Sequence, residues 1–120
     1  MEAGSAVRGS EEPSGSRRGD PAHNTSESKI FGAELSGNAP SIDLHGLDTE
    51  AGIHDLETFL HGAFMRGDDV IKVIHGRGTG KMREAVQAFL STQEIVETFR
   101  DGRSTAEISG VTYVVIKKRE

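Results

Sequence analysis

Two stretches of sequence decide how this chain folds: Ile42–Gly46, which reads Ile-Asp-Leu-His-Gly, and Ile74–Lys81, which reads Ile-His-Gly-Arg-Gly-Thr-Gly-Lys. Each has the pattern of a buried strand that runs into a glycine turn, and each places a histidine at the strand end. Parallel neighbouring strands end at the same edge of a sheet. If these two strands are parallel neighbours, both histidines therefore lie at one edge.

The rest of the chain after Pro40 alternates between strand and helix patterns. Apolar residues at spacings of three and four predict two helices, the first with Asp48 or Thr49 as its N-cap and Gly67 at its C-terminal end. Short alternating or β-branched runs predict strands. The predicted strands are Ser41–His45, Val70–Ile74, Ile95–Arg100 and Val111–Lys117, and the helices run from about residue 49 to 66 and from Lys81 to Leu90.

This order predicts an α/β fold: a small two-layer β-α-β-α-β-β domain on a mixed four-stranded sheet, spanning residues 40–118. The first two strands are parallel through a right-handed crossover, and the last two are antiparallel neighbours. Residues 1–39 are rich in Gly, Ser, Glu and Arg and are predicted to be a disordered tail. Their apolar patch, Ile30–Leu35, is interpreted as a residual stretch in a linker, with a short docking segment as the alternative.

Composition narrows the class of protein. The chain has 120 residues, enough for one domain, and no cysteine, which excludes a disulfide framework and a cysteine-ligated zinc site. No apolar run approaches the roughly 18 residues that span a membrane, so we expect no membrane partner. A cytoplasmic location is our expectation, and the lack of cysteine is compatible with it but does not demand it. The net charge of −5 counts against strong non-specific binding to nucleic acid, although a local basic site remains open.

The first stretch could carry acid–base chemistry. Asp43 and His45 are two residues apart on a predicted strand, so their side chains share a face about 7 Å apart at Cα. The carboxylate could orient the imidazole, which could then move a proton off an attacking hydroxyl and onto a leaving oxygen. His75 is a second candidate proton donor or phosphate ligand.

The second stretch could hold a phosphate. Glycines let main-chain N–H groups approach an anion, and the loop opens a helix, whose N-terminus favours negative charge. Neither the P-loop nor the dinucleotide fingerprint fits, because Met82 follows Gly80-Lys81 and a lysine stands where a third glycine is needed. The candidate nucleic-acid-binding residues are Gly76, Arg77, Gly78, Thr79, Gly80, Lys81 and Arg83.

Each of these features also has a purely structural interpretation. Histidines at strand ends often bond only to the main chain of a turn, and Asp43 could simply be solvated. The glycine loop could be no more than a tight turn between a strand and a helix. His54 and His61, seven residues apart, are interpreted as surface residues.

With both motifs in order, the chain resembles the Smr (small MutS-related) domain family, whose signatures are Leu-Asp-Leu-His-Gly and either His-Gly-x-Gly or Thr-Gly-x-Gly. Here they stand as Ile42–Gly46, with Ile in place of the first Leu, and His75–Gly78. The likeness runs from Ser41 to about Lys117. The loop between Asp101 and Gly110 is less glycine-rich than is common in the family.

The resemblance implies an endonuclease that cleaves or nicks nucleic acid, with Asp43, His45 and His75 as its catalytic residues. By the same resemblance, family members nick DNA in some contexts and cleave RNA in others, including messenger RNA on stalled ribosomes, so the ribosome is a candidate partner. We favour RNA over DNA as the substrate. An RNA substrate supplies its own 2′-hydroxyl nucleophile and requires no cofactor, whereas DNA would call for a divalent ion such as Mg²⁺ or Mn²⁺. The alternative is a non-catalytic module that binds nucleic acid or the ribosome through the same loop. The oligomeric state is not predicted.

Overall fold

The computed structural model describes residues 25–119, and seven helices and strands lie within them. In chain order they are α1 (Thr25–Ser36), β1 (Ser41–Asp43), α2 (Thr49–Arg66), β2 (Val70–Ile74), α3 (Lys81–Ser91), β3 (Val96–Asp101) and β4 (Val111–Ile116). From β1 onward this is the predicted β-α-β-α-β-β order. None of the helices in this part of the chain is both long enough and apolar enough to cross a membrane.

The four strands form one mixed sheet in the order β1-β2-β4-β3. Strand β1 pairs with β2 in parallel, and β4 pairs antiparallel with both β2 and β3. The predicted parallel first pair and antiparallel last pair are therefore both confirmed. Strand β4 lies in the middle of the sheet, which explains why all six of its residues are buried.

Helix α2 begins and ends at the predicted residues. The Asp48 carboxylate accepts a hydrogen bond of 2.9 Å from the N–H of Ala51, which satisfies one of the unpaired donors of the first turn. Gly67 ends the helix in the left-handed conformation, with φ of 82°, where a residue without Cβ carries no steric cost.

Helices α2 and α3 cover one face of the sheet. Alternate residues of β2 and β4 point toward them, because successive side chains of a strand point to opposite faces. The core on this face consists of Leu44, Leu56, Leu60, Ala63, Ile71, Val73, Val86, Leu90, Val114 and Ile116. These two layers are the predicted two-layer domain.

Helix α1 covers the opposite face and adds a third layer. Its Ile30 is 1% exposed and packs in a second apolar cluster with Val70, Val111, Tyr113 and Val115. The prediction of a disordered tail is therefore wrong for residues 25–36, while residues 1–24 lie outside the described part of the chain. The apolar patch is a docking segment, and the surface on which it docks belongs to the chain's own sheet.

Ion pairs fasten α1 to β3 and to the residues that follow it. The guanidinium of Arg100, 16% exposed, donates to Glu34 at 2.8 Å and also to Glu27, seven residues earlier on the same helix. The main-chain N–H of Arg103 donates to Glu34 at 2.9 Å. The hydrogen bond from Arg100 lowers the pKa of the Glu34 carboxyl, so the pair stays charged at neutral pH. Polar contacts thus hold α1 in place, because Ile30 is the single residue of this helix that is fully buried.

Replacing Ile30 by alanine is expected to destabilise the protein by about 2–4 kcal/mol, because it leaves a cavity between α1 and the sheet. Leu35→Ala is the matched control on the same helix, since Leu35 is 73% exposed and should cost less than about 0.5 kcal/mol. Denaturant unfolding of both variants measures the difference. Equal stabilities would contradict the docking of α1.

Candidate functional site

The parallel pairing of β1 and β2 brings the two sequence motifs together. Asp43 pairs with Ile74 in the strand register, and the N–H of Leu44 donates to the carbonyl oxygen of Ile74 at 2.7 Å. Gly76 has a φ of +80°, and a Cβ added to it would lie 3.1 Å from the Cβ of His45. A glycine is therefore needed at position 76 both for its conformation and for the space that His45 occupies.

Asp43 and His45 form a hydrogen-bonded pair on the surface. The carboxylate Oδ1 of Asp43 lies 2.6 Å from Nδ1 of His45 and also accepts the main-chain N–H of His45 at 3.0 Å. This is an Asx turn, which ends β1 two residues before the predicted strand end. Since a carboxylate only accepts, Nδ1 carries the proton, and Nε2 of the neutral ring is the free base.

The electrostatics of this pair suit proton transfer more than stability. Hydrogen bonds from the ring and the main chain of His45 lower the pKa of the Asp43 carboxyl, which keeps it ionised as an orienting group. The side chains of His45 and Asp43 are 70% and 51% exposed. A pair in such contact with water contributes little to folding.

His75 has a different environment from His45. It is 3% exposed, its Nδ1 lies 3.1 Å from the carbonyl oxygen of Gly76, and its Nε2 lies 2.9 Å from Oγ1 of Thr112. Burial lowers the pKa of this imidazole, which favours the neutral ring. Both ring nitrogens are thus engaged inside the protein. This environment does not favour the role of second proton donor that was predicted for His75.

A cleft of about 320 Å³ opens between the two motifs. The turn between β1 and α2 forms one wall, and the loop between β2 and α3 forms the other, so the N-termini of α2 and α3 both lie at this cleft. The first residue of α3 is preceded by Gly80, which provides no side-chain cap. The lining residues are Gly46, Leu47, Asp48, Thr49, His75, Gly76, Arg77, Gly78, Thr79, Gly80, Lys81 and Met82.

This cleft is lined by most of the residues predicted for the binding loop, among them Gly76, Gly78, Thr79, Gly80 and Lys81. Lys81 is exposed there, and the hydroxyl of Thr79 accepts its main-chain N–H at 3.3 Å. Asp43 and His45 are not among the lining residues; they adjoin the cleft through the neighbouring Gly46 and through the contact with Gly76. The uncapped N-terminus of α3 and the Lys81 side chain thus lie on one side of the cleft, the Asp48 carboxylate lies on the other, and the Asp43–His45 pair lies at its border.

Arg77 is bound to the main chain of a neighbouring loop. Its Nε donates to the carbonyl oxygen of Ile108 at 3.0 Å, and its Nη2 donates to those of Thr105 and Ala106, both at 2.9 Å. These contacts fix the β3–β4 loop to the glycine loop. They give Arg77 a structural task in addition to the phosphate contact predicted for it.

Arg83 is engaged in an ion pair. Its Nε and Nη2 donate to the two carboxylate oxygens of Asp101 at 3.1 and 2.6 Å. Gln87 donates to the same carboxylate at 2.9 Å and to Oγ1 of Thr112 at 3.1 Å. The structure thus places Arg83 in a bonded network that ends at His75. Arg77 and Lys81 are the predicted cations exposed at the cleft, and the guanidinium of Arg77 is already bonded to the β3–β4 loop.

Three members of this network were not singled out from the sequence, namely Asp101, Gln87 and Thr112. The available signal was Thr112, the one aliphatic hydroxyl in β4, because a buried polar side chain requires a partner. Gln87 lies four residues after Arg83, on the same face of α3. Asp101 could be linked to them only once β3 had been placed.

Comparisons with known proteins agree with this arrangement. The family model described as "Smr domain" matches residues 42–117. The chain is 41% identical over 80 residues to a protein named "Endonuclease MutS2" from Aquifex aeolicus, covering 67% of this chain but only 10% of that relative. The chain therefore spans about a tenth of the length of the curated relatives that it matches.

Two solved structures share the fold. The Smr domain of Thermus thermophilus MutS2 superposes with a TM-score of 0.63 at 30% identity, over 66% of this chain and 99% of that one. YdaL, a stand-alone small MutS-related protein from Escherichia coli, superposes with a TM-score of 0.66 at 22% identity, over 86% of this chain and 82% of that one. With both sequence motifs at one sheet edge and the family model matched from β1 to the end of β4, the chain belongs to the Smr domain family.

Proposed function

We propose that this Smr domain is an endonuclease that cleaves nucleic acid, with RNA preferred over DNA. The observation that carries the proposal is the exposed Asp43–His45 pair, with a free imidazole nitrogen, at the border of a cleft at which the N-terminus of α3 lies without a side-chain cap. The names of relatives such as the Aquifex aeolicus "Endonuclease MutS2" support the same class of reaction.

The proposed reaction uses the 2′-hydroxyl of RNA as nucleophile. As this oxygen attacks the adjacent phosphorus, Nε2 of His45 takes its proton, while Asp43 holds the ring in the tautomer that leaves Nε2 free. The bond between phosphorus and the 5′ oxygen breaks, and the leaving oxygen takes a proton from water. The hydroxide so formed removes the proton from the imidazolium. The products are a 2′,3′-cyclic phosphate and a 5′-hydroxyl.

The cleft is proposed to hold the phosphate. The N-terminus of α3 has no side-chain cap, and neither Gly78 nor Gly80 has a Cβ that would hinder an anion approaching the main chain of its first turn. Lys81 adds a full positive charge at the same place. Binding at this one cleft is compatible with a net charge of −5 because it depends on local rather than global charge.

The side chains available to bind a metal ion favour RNA over DNA as the substrate. Across residues 25–119, no three or more histidine, aspartate or glutamate side chains are grouped in a way that could hold a metal ion. A DNA substrate lacks the 2′-hydroxyl, so its cleavage would draw more heavily on a divalent ion such as Mg²⁺ or Mn²⁺. The residues present are therefore better suited to a substrate that carries its own nucleophile.

We assign His75 a positioning task in place of the predicted proton transfer. Both its ring nitrogens are engaged within the protein, and its burial favours the neutral form. Its bond to the carbonyl oxygen of Gly76 stabilises the main chain next to His45.

Replacing His45 by alanine is expected to lower RNA cleavage by about 10²–10⁴-fold, the usual effect of a general base. Asp43→Asn keeps the shape but removes the charge that selects the tautomer, so we expect a loss of the same order, up to about 10⁴-fold. Cleavage of labelled RNA in EDTA, with the product ends identified, measures both effects. A 2′,3′-cyclic phosphate at the new end is the expected product.

His61→Ala is the matched control, because His61 is exposed on α2 and lies outside the cleft lining. Full cleavage by a folded His45→Ala variant would overturn the proposal. If the wild type binds RNA in a salt-dependent manner but cleaves neither RNA nor, with Mg²⁺ or Mn²⁺, DNA, the domain is a binding module. Cleavage of DNA alone with metal would overturn the RNA preference.

Replacing Lys81 by glutamine is expected to weaken RNA binding and to reduce the slope of log affinity against log salt by about one, the effect of losing one phosphate contact. Lys117→Gln removes the same charge beyond the far end of β4 and should change the slope much less. Both are measured by salt titration in the His45→Ala background, which prevents cleavage. Equal effects of the two variants would contradict a phosphate at the cleft.

Replacing His75 by asparagine is expected to reduce the acid sensitivity of the fold. The pKa of His75 is lowered by folding, so its stabilising contribution is complete above the ordinary imidazole value of about 6.5 and is lost as the pH falls through the lowered value. Melting temperatures at pH 7.5 and pH 5 measure this loss. His61→Asn, an exposed control, should retain the wild-type drop, and an identical drop in His75→Asn would contradict the burial of a neutral ring.

A further inference from the structure

We propose that Thr112 and Gln87 are positioning residues for the proposed cleavage reaction. They act by holding His75 in the tautomer with its proton on Nδ1. His75 in that state fixes the main chain of Gly76, against which His45 rests. The effect on cleavage rests on the proposed function, whereas the effect on the tautomer and on Gly76 does not.

The first link joins His75 to Gly76. The carbonyl oxygen of Gly76 only accepts hydrogen bonds, so Nδ1 of His75, 3.1 Å away, must donate. If the proton were on Nε2 instead, the lone pair of Nδ1 would face that oxygen, and the repulsion would turn the peptide between residues 76 and 77. The tautomer of a buried ring thus decides the orientation of a peptide in the glycine loop.

The second link joins His75 to Thr112. With the proton of the neutral ring on Nδ1, Nε2 is an acceptor, and the Thr112 hydroxyl 2.9 Å away donates to it. Thr112 is 0% exposed, so its hydroxyl has no competing contact with bulk water. Valine would fit the same position of a buried strand, so the hydroxyl is best explained by the bond that it makes.

The third link orients the Thr112 hydroxyl. The amide Nε2 of Gln87 donates to Oγ1 of Thr112 at 3.1 Å and to a carboxylate oxygen of Asp101 at 2.9 Å. Because the threonine oxygen already accepts from Gln87, its own hydrogen is directed to His75. Asp101 is in turn held by Arg83 at two points, and that hydrogen bonding lowers the pKa of the Asp101 carboxyl. Donors and acceptors therefore alternate without conflict from α3 to the loop.

The end of this network lies next to the proposed base. Gly76 has a φ of +80° and lies close enough to His45 that an added Cβ would be 3.1 Å from the Cβ of His45. The main-chain N–H groups of His75 and Gly76 both donate to the carbonyl oxygen of Gly110 at 3.0 Å. A turned peptide after Gly76 would therefore disturb the wall of the cleft on which the position of His45 depends.

The test compares Thr112→Val, Thr112→Ser and Thr58→Val in the full chain labelled with ¹⁵N-histidine. Thr112→Val removes the donor to Nε2, Thr112→Ser restores it, and Thr58 is an exposed threonine on α2 that controls for the substitution itself. We expect the ¹⁵N shifts of His75 to show the Nδ1–H tautomer in the wild type, Thr112→Ser and Thr58→Val. Thr112→Val should show a mixture, together with a shifted amide signal of Gly76.

Cleavage supplies the second readout. We expect Thr112→Val to lower kcat for RNA by about 10–10²-fold, as a misplaced group does, with a smaller fold-change in KM and with Thr112→Ser near the wild type. Gln87→Met is a second variant that removes the orienting donor and should act in the same direction. It also keeps the inference testable if Thr112→Val does not fold.

Each outcome decides the inference. An unchanged His75 tautomer and Gly76 amide signal in Thr112→Val or Gln87→Met overturns it. A changed tautomer with unchanged kcat overturns the positioning role. If the wild type cleaves nothing, the proposed function fails, and the tautomer and amide signals still decide whether this network holds the loop.

Discussion

The parallel pairing of β1 with β2 is the contact on which the rest of the site depends. Strand β1 has only three residues, so a few main-chain hydrogen bonds and the burial of Leu44 set its register. A slip of one residue would exchange the two faces of the strand and move Asp43 away from the edge where it meets the second motif. Because both strands run in the same direction, their ends deliver His45 and the glycine loop to one place.

The charges around this edge divide into two groups. Arg77 and Arg83 hold protein groups, namely the carbonyl oxygens of the β3–β4 loop and the carboxylate of Asp101. The N-terminus of α3 and the exposed Lys81 face the cleft. A loop rich in glycine would lose much conformational entropy on ordering, so the arginine contacts that fix its shape also prepare the cleft for a ligand.

The two histidines show how similar sequence surroundings give different chemistry. Both follow a strand and precede a glycine, yet His45 is exposed beside a carboxylate, and His75 is enclosed with both nitrogens bonded. The difference arises from the sheet order. Strand β1 is at an edge and ends in an Asx turn that faces water, whereas β2 lies between two strands, so the residue after it meets Thr112 of the neighbouring β4.

Periodicity, local turn chemistry and the ends of parallel strands predict the elements from Ser41 onward, the caps of α2, the mixed sheet and the meeting of the two motifs. The folded chain was needed to locate α1, the burial of His75 and the partners of Arg77 and Arg83. Helix α1 has a single fully buried residue and is held by Arg100, 66 and 73 positions away from its two glutamates. Contacts across such separations leave no periodic pattern, since they are set by which strands become neighbours in the folded chain.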